Sequence, residues 1–276
     1  MWAGFSRGIF LCSVLGDMTM KQHLLAAGIA LASATGLAHA TLADGQPYSV
    51  SVDAKGYNIN GQYKLLRGGT VQWFRIPQSE WRDRLQRFKA AGFNTVDLYV
   101  AWNSVEPRNN QFNFQNLRTF VQLCKDLGLY VYLRPGPYIT NEMDGGGIPG
   151  WLTAMSTKKD IAADGKPNLR THDPDYLNYA GRYLRRLNAE VRDFFADRGG
   201  PIILYSLENE YNWFQPFHEA DKLFGYMGGP ERGLWQTYNP AAYFSALRDI
   251  VRNDGITVPL TTCPGDGKAS ATGDVA

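Results

Sequence analysis

The sequence predicts an α/β fold in which a parallel sheet closes as a (β/α)8 TIM barrel, with about five of the eight β/α units present in this chain. Three observations carry that reading. Apolar strand-like segments alternate with amphipathic helical ones, the pattern of a parallel sheet covered by helices. The first strand-to-helix turn lacks the glycine pattern that cradles a phosphate in an open dinucleotide-binding sheet. Polar and aromatic residues instead collect after the C-terminal ends of successive strands, where a TIM barrel builds its active site: Arg75, then Trp102, Asn103 and Glu106, then Tyr138 to Glu142, then Asn209 and Glu210.

The elements follow in order. Residues 1–40 read as targeting sequence: from Met20, Lys21 precedes an apolar run, Leu24 to Leu37, and the small-residue ending Ala38-His39-Ala40, so a cleaved secretory signal is expected, with Met20 as the true start and export as the destination. That run is too short, and too broken by Ser33, Thr35 and Gly36, to span a bilayer. Residues 41–62 form a β lead-in, in which Asn60-Gly61 turns a hairpin between Tyr57–Ile59 and Tyr63–Leu66. Residues 63–276 are then the truncated barrel. Ser79 is expected to cap a helix carrying Trp81, Leu85 and Phe88 on one face, stopped by Gly92. Strand 93–102, helix 116–127, strand 129–134, a Gly/Pro-rich loop over 135–150, helix 175–196, strand 202–207, helix 240–253 and strand 256–262 complete the pattern.

Composition narrows the chemistry. The net charge of +2, little changed by the leader's Arg7, Asp17 and Lys21, offers no basic stripe for nucleic acid. Outside the leader only Cys124 and Cys263 remain, without metal-site spacing, and only His172 and His218, too few for a histidine-rich metal centre. No metal or organic cofactor is expected. Carboxylate chemistry is left as the favoured class.

The residues Glu208-Asn209-Glu210-Tyr211 end the apolar run Ile202–Leu207, a costly place for two acids unless they are used or paired. Side chains alternate along a strand, so Glu208 and Glu210 share a side unless the backbone bends. Retaining glycoside hydrolysis needs two carboxyls, one to protonate the leaving oxygen and one to attack the anomeric carbon. On this reading Glu210 is the general acid/base, Asn209 holds a sugar hydroxyl, and Glu208, one step deeper, tunes Glu210 or holds Asn209. The competing reading of the same spacing is a pair of loop acids bound to arginines.

The surrounding strings resemble glycoside hydrolase family 35, the β-galactosidase family. They run in family order from about Tyr63 to Tyr211: Phe74-Arg75-Ile76-Pro77, Trp81-Arg82-Asp83-Arg84-Leu85, Ala91-Gly92-Phe93-Asn94-Thr95-Val96, Trp102-Asn103 with Glu106-Pro107, Arg134-Pro135-Gly136-Pro137-Tyr138-Ile139 with Glu142, Gly145 to Leu152, and Gly199-Gly200-Pro201 through Tyr211. The resemblance implies a retaining hydrolase that removes terminal β-galactosyl residues from oligo- or polysaccharides, with Glu210 as acid/base and Tyr99, Asn141, Glu142 and Asn209 lining the sugar subsite; the leader places it outside the cell or in the periplasm. Read from the residues alone, Tyr99 belongs to the core of an apolar strand. Arg75 is expected to support the site as a buried ion-pair partner for a subsite carboxylate, and most of Trp73, Trp102, Trp151 and Trp213 are expected to pack rather than stack on sugar.

Three departures bear on function. Ser206 and Asn212 stand where the family commonly has Gln and Gly, and Met143-Asp144 where an aromatic is frequent, which touches substrate choice more than reaction type. The aromatic-rich segment 212–238 suits either a wall of the cleft or a packing surface. The nucleophilic Glu of the family ends its seventh strand, and no matching motif follows Glu231, so the nucleophile is expected outside this chain and the fragment alone inactive. The alternatives are a catalytically incomplete carbohydrate-binding barrel, or a related exo-β-glycosidase of different sugar specificity.

Overall fold

A computed structural model of the chain describes residues 45–156, 167–211 and 239–263. The expected signal over residues 1–40 and the aromatic segment 212–238 lie outside them. Strands β1 (Val50–Asp53), β2 (Gly56–Ile59) and β3 (Gln62–Lys64) form an antiparallel sheet, with Asn60 and Gly61 at positive φ in the predicted hairpin turn. The chain then enters a second sheet of five parallel strands, β4 (Gly68–Thr70), β5 (Thr95–Tyr99), β6 (Tyr130–Gly136), β7 (Ile202–Leu207) and β8 (Leu260–Thr262), hydrogen-bonded in sequence order.

That order separates the two architectures an alternating sequence allows. A doubly wound sheet reverses direction at a switch point, placing helices on both faces. Here the strands are added in one direction throughout, and right-handed crossovers then put the described helices that pack on the sheet on one face. The helix side of the sheet carries Val96, Leu98, Val131, Leu133, Ile203 and Tyr205, all fully buried. The alternate positions carry Asp97, Tyr99, Tyr132, Arg134 and Ser206, with the apolar Leu204 among them beside Tyr132. The sheet is therefore a wall with an apolar outside and a mostly polar inside toward its C-terminal end.

Helices α1 (Trp81–Ala90), α2 (Trp102–Val105), α3 (Gln115–Asp126), α4 (Gly150–Met155), α5 (Pro174–Glu190) and α6 (Pro240–Asn253) connect the strands. Leu85, Leu117, Phe120, Leu184, Leu187, Phe244 and Leu247 supply the helix half of the core. Asp173 caps α5 by accepting from the Tyr176 amide at 2.9 Å, and Asn239 caps α6 by accepting from the Ala242 amide.

Several boundaries differ from the sequence reading. Ser79 caps nothing: it lies inside a short 3-10 turn, Gln78–Glu80, that leads into α1 without a side-chain cap. The first parallel strand is Gly68–Thr70, a stretch with little strand propensity, fixed by its register against Thr95–Asp97. The strand predicted over 93–102 is shorter, because Trp102 already begins α2. The predicted helix 175–196 ends at Glu190 and continues as two 3-10 turns, and the last strand occupies only Leu260–Thr262.

The N-terminal end of the wall is sealed. Tyr48 donates its backbone N–H to the Ala196 carbonyl at 3.0 Å and its hydroxyl to the Gly200 carbonyl at 2.6 Å. A Cβ on Gly200 would stand 2.0 Å from the carbonyl oxygen of Phe194, a backbone contact that cannot swing aside. Gly200→Ala should therefore cost on the order of 3 kcal/mol, read as a lower denaturant midpoint at unchanged slope.

Candidate active site

The C-terminal ends of the five strands lie together at the other end of the wall, and these ends with the loops that leave them hold every predicted site residue. From the β4 loop, Arg75 donates to the backbone carbonyls of Asn141 at 2.6 Å and Glu142 at 3.2 Å. Arg75 is exposed and pairs with backbone rather than with a carboxylate, so the expected buried ion pair gives way to a clamp on main chain. Gln72, from the same loop, donates to the Asn141 side-chain carbonyl.

What those two residues hold is a strained turn. Thr140, Asn141 and Glu142 have φ of 53°, 49° and 47°, three successive non-glycine residues in the left-handed region, each costing about 1–2 kcal/mol. Such strain persists only where surrounding contacts over-determine it. It presents Asn141 with its side-chain amide nitrogen buried and without a hydrogen-bond partner, and turns Glu142 outward to solvent.

The turn that ends β7 is strained in the same way. Glu208 has φ of 61° and Glu210 of 49°, so the backbone bends and the two side chains part. Glu208 goes inward. Its Oε2 accepts from Nε and Nη2 of Arg170 at 3.1 and 2.7 Å and from the Asn209 amide at 3.3 Å, and its Oε1 accepts from the Tyr243 hydroxyl at 2.7 Å. The side chains of Arg170 and Glu208 are 2% and 1% exposed, which leaves Glu208 no face for a ligand. Burial, with the Glu208 carboxylate next in effect, raises the Tyr243 phenol well above the ordinary tyrosine range, so it remains a donor.

Asn209 and Glu210 stay at the mouth. Asn209 Oδ1 accepts from Arg134 at 2.5 Å, its Nδ2 donates to Thr140 Oγ1 at 2.9 Å, and its backbone carbonyl accepts from Arg170 at 3.0 Å. The Thr140 hydroxyl in turn donates to Glu210 Oε2 at 3.4 Å, and the Glu210 amide donates to the Cys263 carbonyl at 2.7 Å. Glu210 is part-exposed and is the carboxylate of the pair that a ligand can reach.

Beneath them, Arg134 joins three strands. Its guanidinium lies 4.4 Å from the Tyr99 ring centre, 5.4 Å from that of Tyr132, and 3.2 Å from Asp97 Oδ2. Burial raises the Asp97 carboxyl, an effect the arginine opposes. Burial also pushes the Tyr99 hydroxyl up to about 12, keeping it protonated. Tyr99 is part-buried on the inner face rather than fully enclosed core.

Sequence reasoning missed Arg134, Thr140, Arg170, Tyr243 and Gln72. Arg134 was legible as a charge at the end of an apolar strand. Arg170 comes from a loop far from Glu208 in sequence, and no local pattern links them. Trp73, Trp102 and Trp151 pack as predicted: Trp102 stacks on Tyr183, Trp151 meets Trp102 edge-on, and Trp73 meets Trp81 edge-on. Glu106 accepts from Trp102 Nε1 at 2.6 Å and pairs with Arg182, which makes it a fully buried structural acid. Among the described residues, no group of three or more His, Cys, Asp and Glu side chains is placed to share a metal ion.

A part-exposed carboxylate beside a doubly held amide, on strained turns over a mostly polar wall, is a site shaped for hydroxyl-rich ligands. Residues 57–227, more than half of the chain, match the model of glycosyl hydrolases family 35, and the chain belongs to that family. It is 38% identical over 225 residues to an exo-beta-D-glucosaminidase of Thermococcus kodakarensis, covering 74% of this chain and 28% of that protein. It is 39% identical over 191 residues to the beta-galactosidase of Bos taurus, covering 68% and 27%. The chain thus spans little more than a quarter of these relatives. Its fold is similar to a GH5_18 protein of Streptomyces cattleya, with a TM-score of 0.52 at 18% identity over 73% of this chain and 45% of that one.

Removing the cation under Asn209 tests this geometry. Arg134→Met should destabilise the protein by about 3 kcal/mol, measured by chemical denaturation, and pairing it with Asp97→Leu should recover most of the loss. The sign of the pH dependence follows from Asp97. Its folded pKa already lies above the ordinary 3.8, so its contribution to stability is present below that value and drains away as pH rises through the folded pKa. Losing Arg134 raises that pKa further, so the deficit of Arg134→Met should be smallest in acid and grow as pH rises.

Proposed function

We propose that the protein is a retaining glycoside hydrolase that releases terminal β-galactosyl residues, with Glu210 as its acid/base. The observation that carries this is the division of labour at the end of β7. Glu208 is spent on Arg170 and Tyr243, while Glu210 is held by its backbone and by one hydroxyl, with its carboxyl open to the mouth. In the proposed reaction Glu210 gives its proton to the glycosidic oxygen as a second carboxylate attacks the anomeric carbon. Glu210 then takes a proton from the water that opens the glycosyl ester. That second carboxylate would stand ~5–5.5 Å away, and we assign it to a later strand of an eight-stranded barrel of which this wall is the first part. Asn209, Asn141, Glu142 and Tyr99 would receive the sugar hydroxyls. Neither a metal nor an organic cofactor enters the mechanism.

A second reading concerns only the sugar. The Thermococcus kodakarensis relative is named an exo-beta-D-glucosaminidase, at an identity close to that of the bovine beta-galactosidase. A panel of nitrophenyl β-glycosides with the full-length protein separates them: the galactoside should be cleaved fastest, and the glucosaminide leading instead would move the assignment. Glu210→Gln should lower kcat/KM on the phenyl glycoside of the preferred sugar, whose leaving group needs protonation, by about 10²–10⁴-fold. Full activity in that variant would remove Glu210 from its role. The leader from Met20 leads us to propose export, for which N-terminal sequencing of the mature protein should read from Thr41.

A further inference from the structure

Arg170 is buried away from any ligand, yet it holds the Glu210 turn at Glu208, Asn209 and Tyr211. It leaves a buried loop with φ of 59°. Its guanidinium holds Glu208 Oε2 through two nitrogens and the Asn209 carbonyl through one. The carbon of that guanidinium lies over the Tyr138 ring, 3.6 Å from its centre, and the Arg170 backbone carbonyl accepts from the Tyr211 hydroxyl at 2.9 Å. The residues on either side of Glu210 in sequence, Asn209 and Tyr211, are thus both tied to Arg170.

The supports reach further. Tyr138 belongs to the loop that carries Thr140, Asn141 and Glu142. A Cβ on Gly146 of that loop would stand 1.8 Å from the Tyr138 ring, so the loop folds tightly over it. Tyr243 approaches Glu208 from α6. A single cation therefore meets the β6 loop, the β7 turn and, through Glu208, α6, at the point where the backbone must turn left-handed to send Glu208 inward and Glu210 outward.

We propose that Arg170 is the positioning residue for proton transfer: by fixing the Glu208–Asn209 backbone it sets the direction from which Glu210 meets the leaving oxygen. It touches no substrate. The inference rests on Glu210 being the acid, and the two can fail separately. A fixed guanidinium with three directed bonds does what a flexible ammonium cannot. Arg170→Lys should therefore keep the charge pair and lose the second contact.

The test measures kcat/KM in the full-length protein for two aryl β-glycosides of its preferred sugar. One, the phenyl glycoside, needs protonation of its leaving group; the other, the dinitrophenyl glycoside, does not. Misdirecting the acid should lower the phenyl glycoside by about 100-fold in Arg170→Met, against less than about 10-fold for the dinitrophenyl glycoside, with Arg170→Lys between wild type and Arg170→Met. Should Arg170→Met fail to fold, Arg170→Met with Glu208→Gln removes both buried charges and leaves the amide oxygen to accept from Tyr243, and the same split is expected. A fall of equal size on both substrates in the folded variant, or no fall, overturns the proposal. If Glu210→Gln itself shows no dependence on leaving group, the assignment of the acid fails, whatever Arg170 does.

Discussion

The ion pair between Arg170 and Glu208 is the constraint on which the candidate site depends. Taking two charges out of water costs several kcal/mol for each ion, so a buried carboxylate must have its lone pairs filled. Glu208 does: Arg170 supplies two donors, the Asn209 amide a third and Tyr243 a fourth. That saturation fixes the side chain inward, and with it the left-handed backbone at Glu208. An extended strand would have put Glu208 and Glu210 on one side. The bend separates a carboxylate that stabilises the turn from one that can meet a ligand.

The opposing turn obeys the same logic with neutral and backbone groups. Three left-handed residues in a row are costly, and Thr140, being β-branched, is a poor choice for that region. Its hydroxyl is what compensates: it accepts from Asn209 and donates to Glu210, linking the two strained turns directly. Arg75 and Gln72 hold the other side of the turn through carbonyl oxygens. Strain on both sides is thus opposed by cross-links between the loops as well as by bonds within them, from the Met143 amide to the Thr140 carbonyl and from the Asn209 amide to Glu208.

Much of the architecture was legible because it rests on local pattern. The runs 202–207 and 240–253 were read to the residue, since an unbroken apolar strand and a helix opening on Asn-Pro admit few alternatives. Gly68–Thr70 was invisible as a strand because only its partner Thr95–Asp97 defines it. At the site, Glu210, Asn209 and the supporting Glu208 stood out as polar residues ending a buried strand. Arg75 was read as a supporting residue but with the wrong partner, since a carbonyl acceptor leaves no mark in the side-chain sequence. Arg170 lies 38 residues from Glu208 and its loop has no periodicity, so only the folded chain shows the pair.

The polar inner face explains why this division is possible at all. In a sheet covered on both faces, Asp97, Tyr99 and Arg134 would each need a partner in an apolar layer. Because sequential right-handed crossovers leave one face free of the described helices, these residues partner one another across adjacent strands. Arg134 sits beside Asp97 and Tyr99 on β5 while reaching Asn209 beyond β7. The direction in which the strands are added thus determines where charge can be placed. The site at the strand ends follows from the order of the sheet as much as from the identity of any single residue.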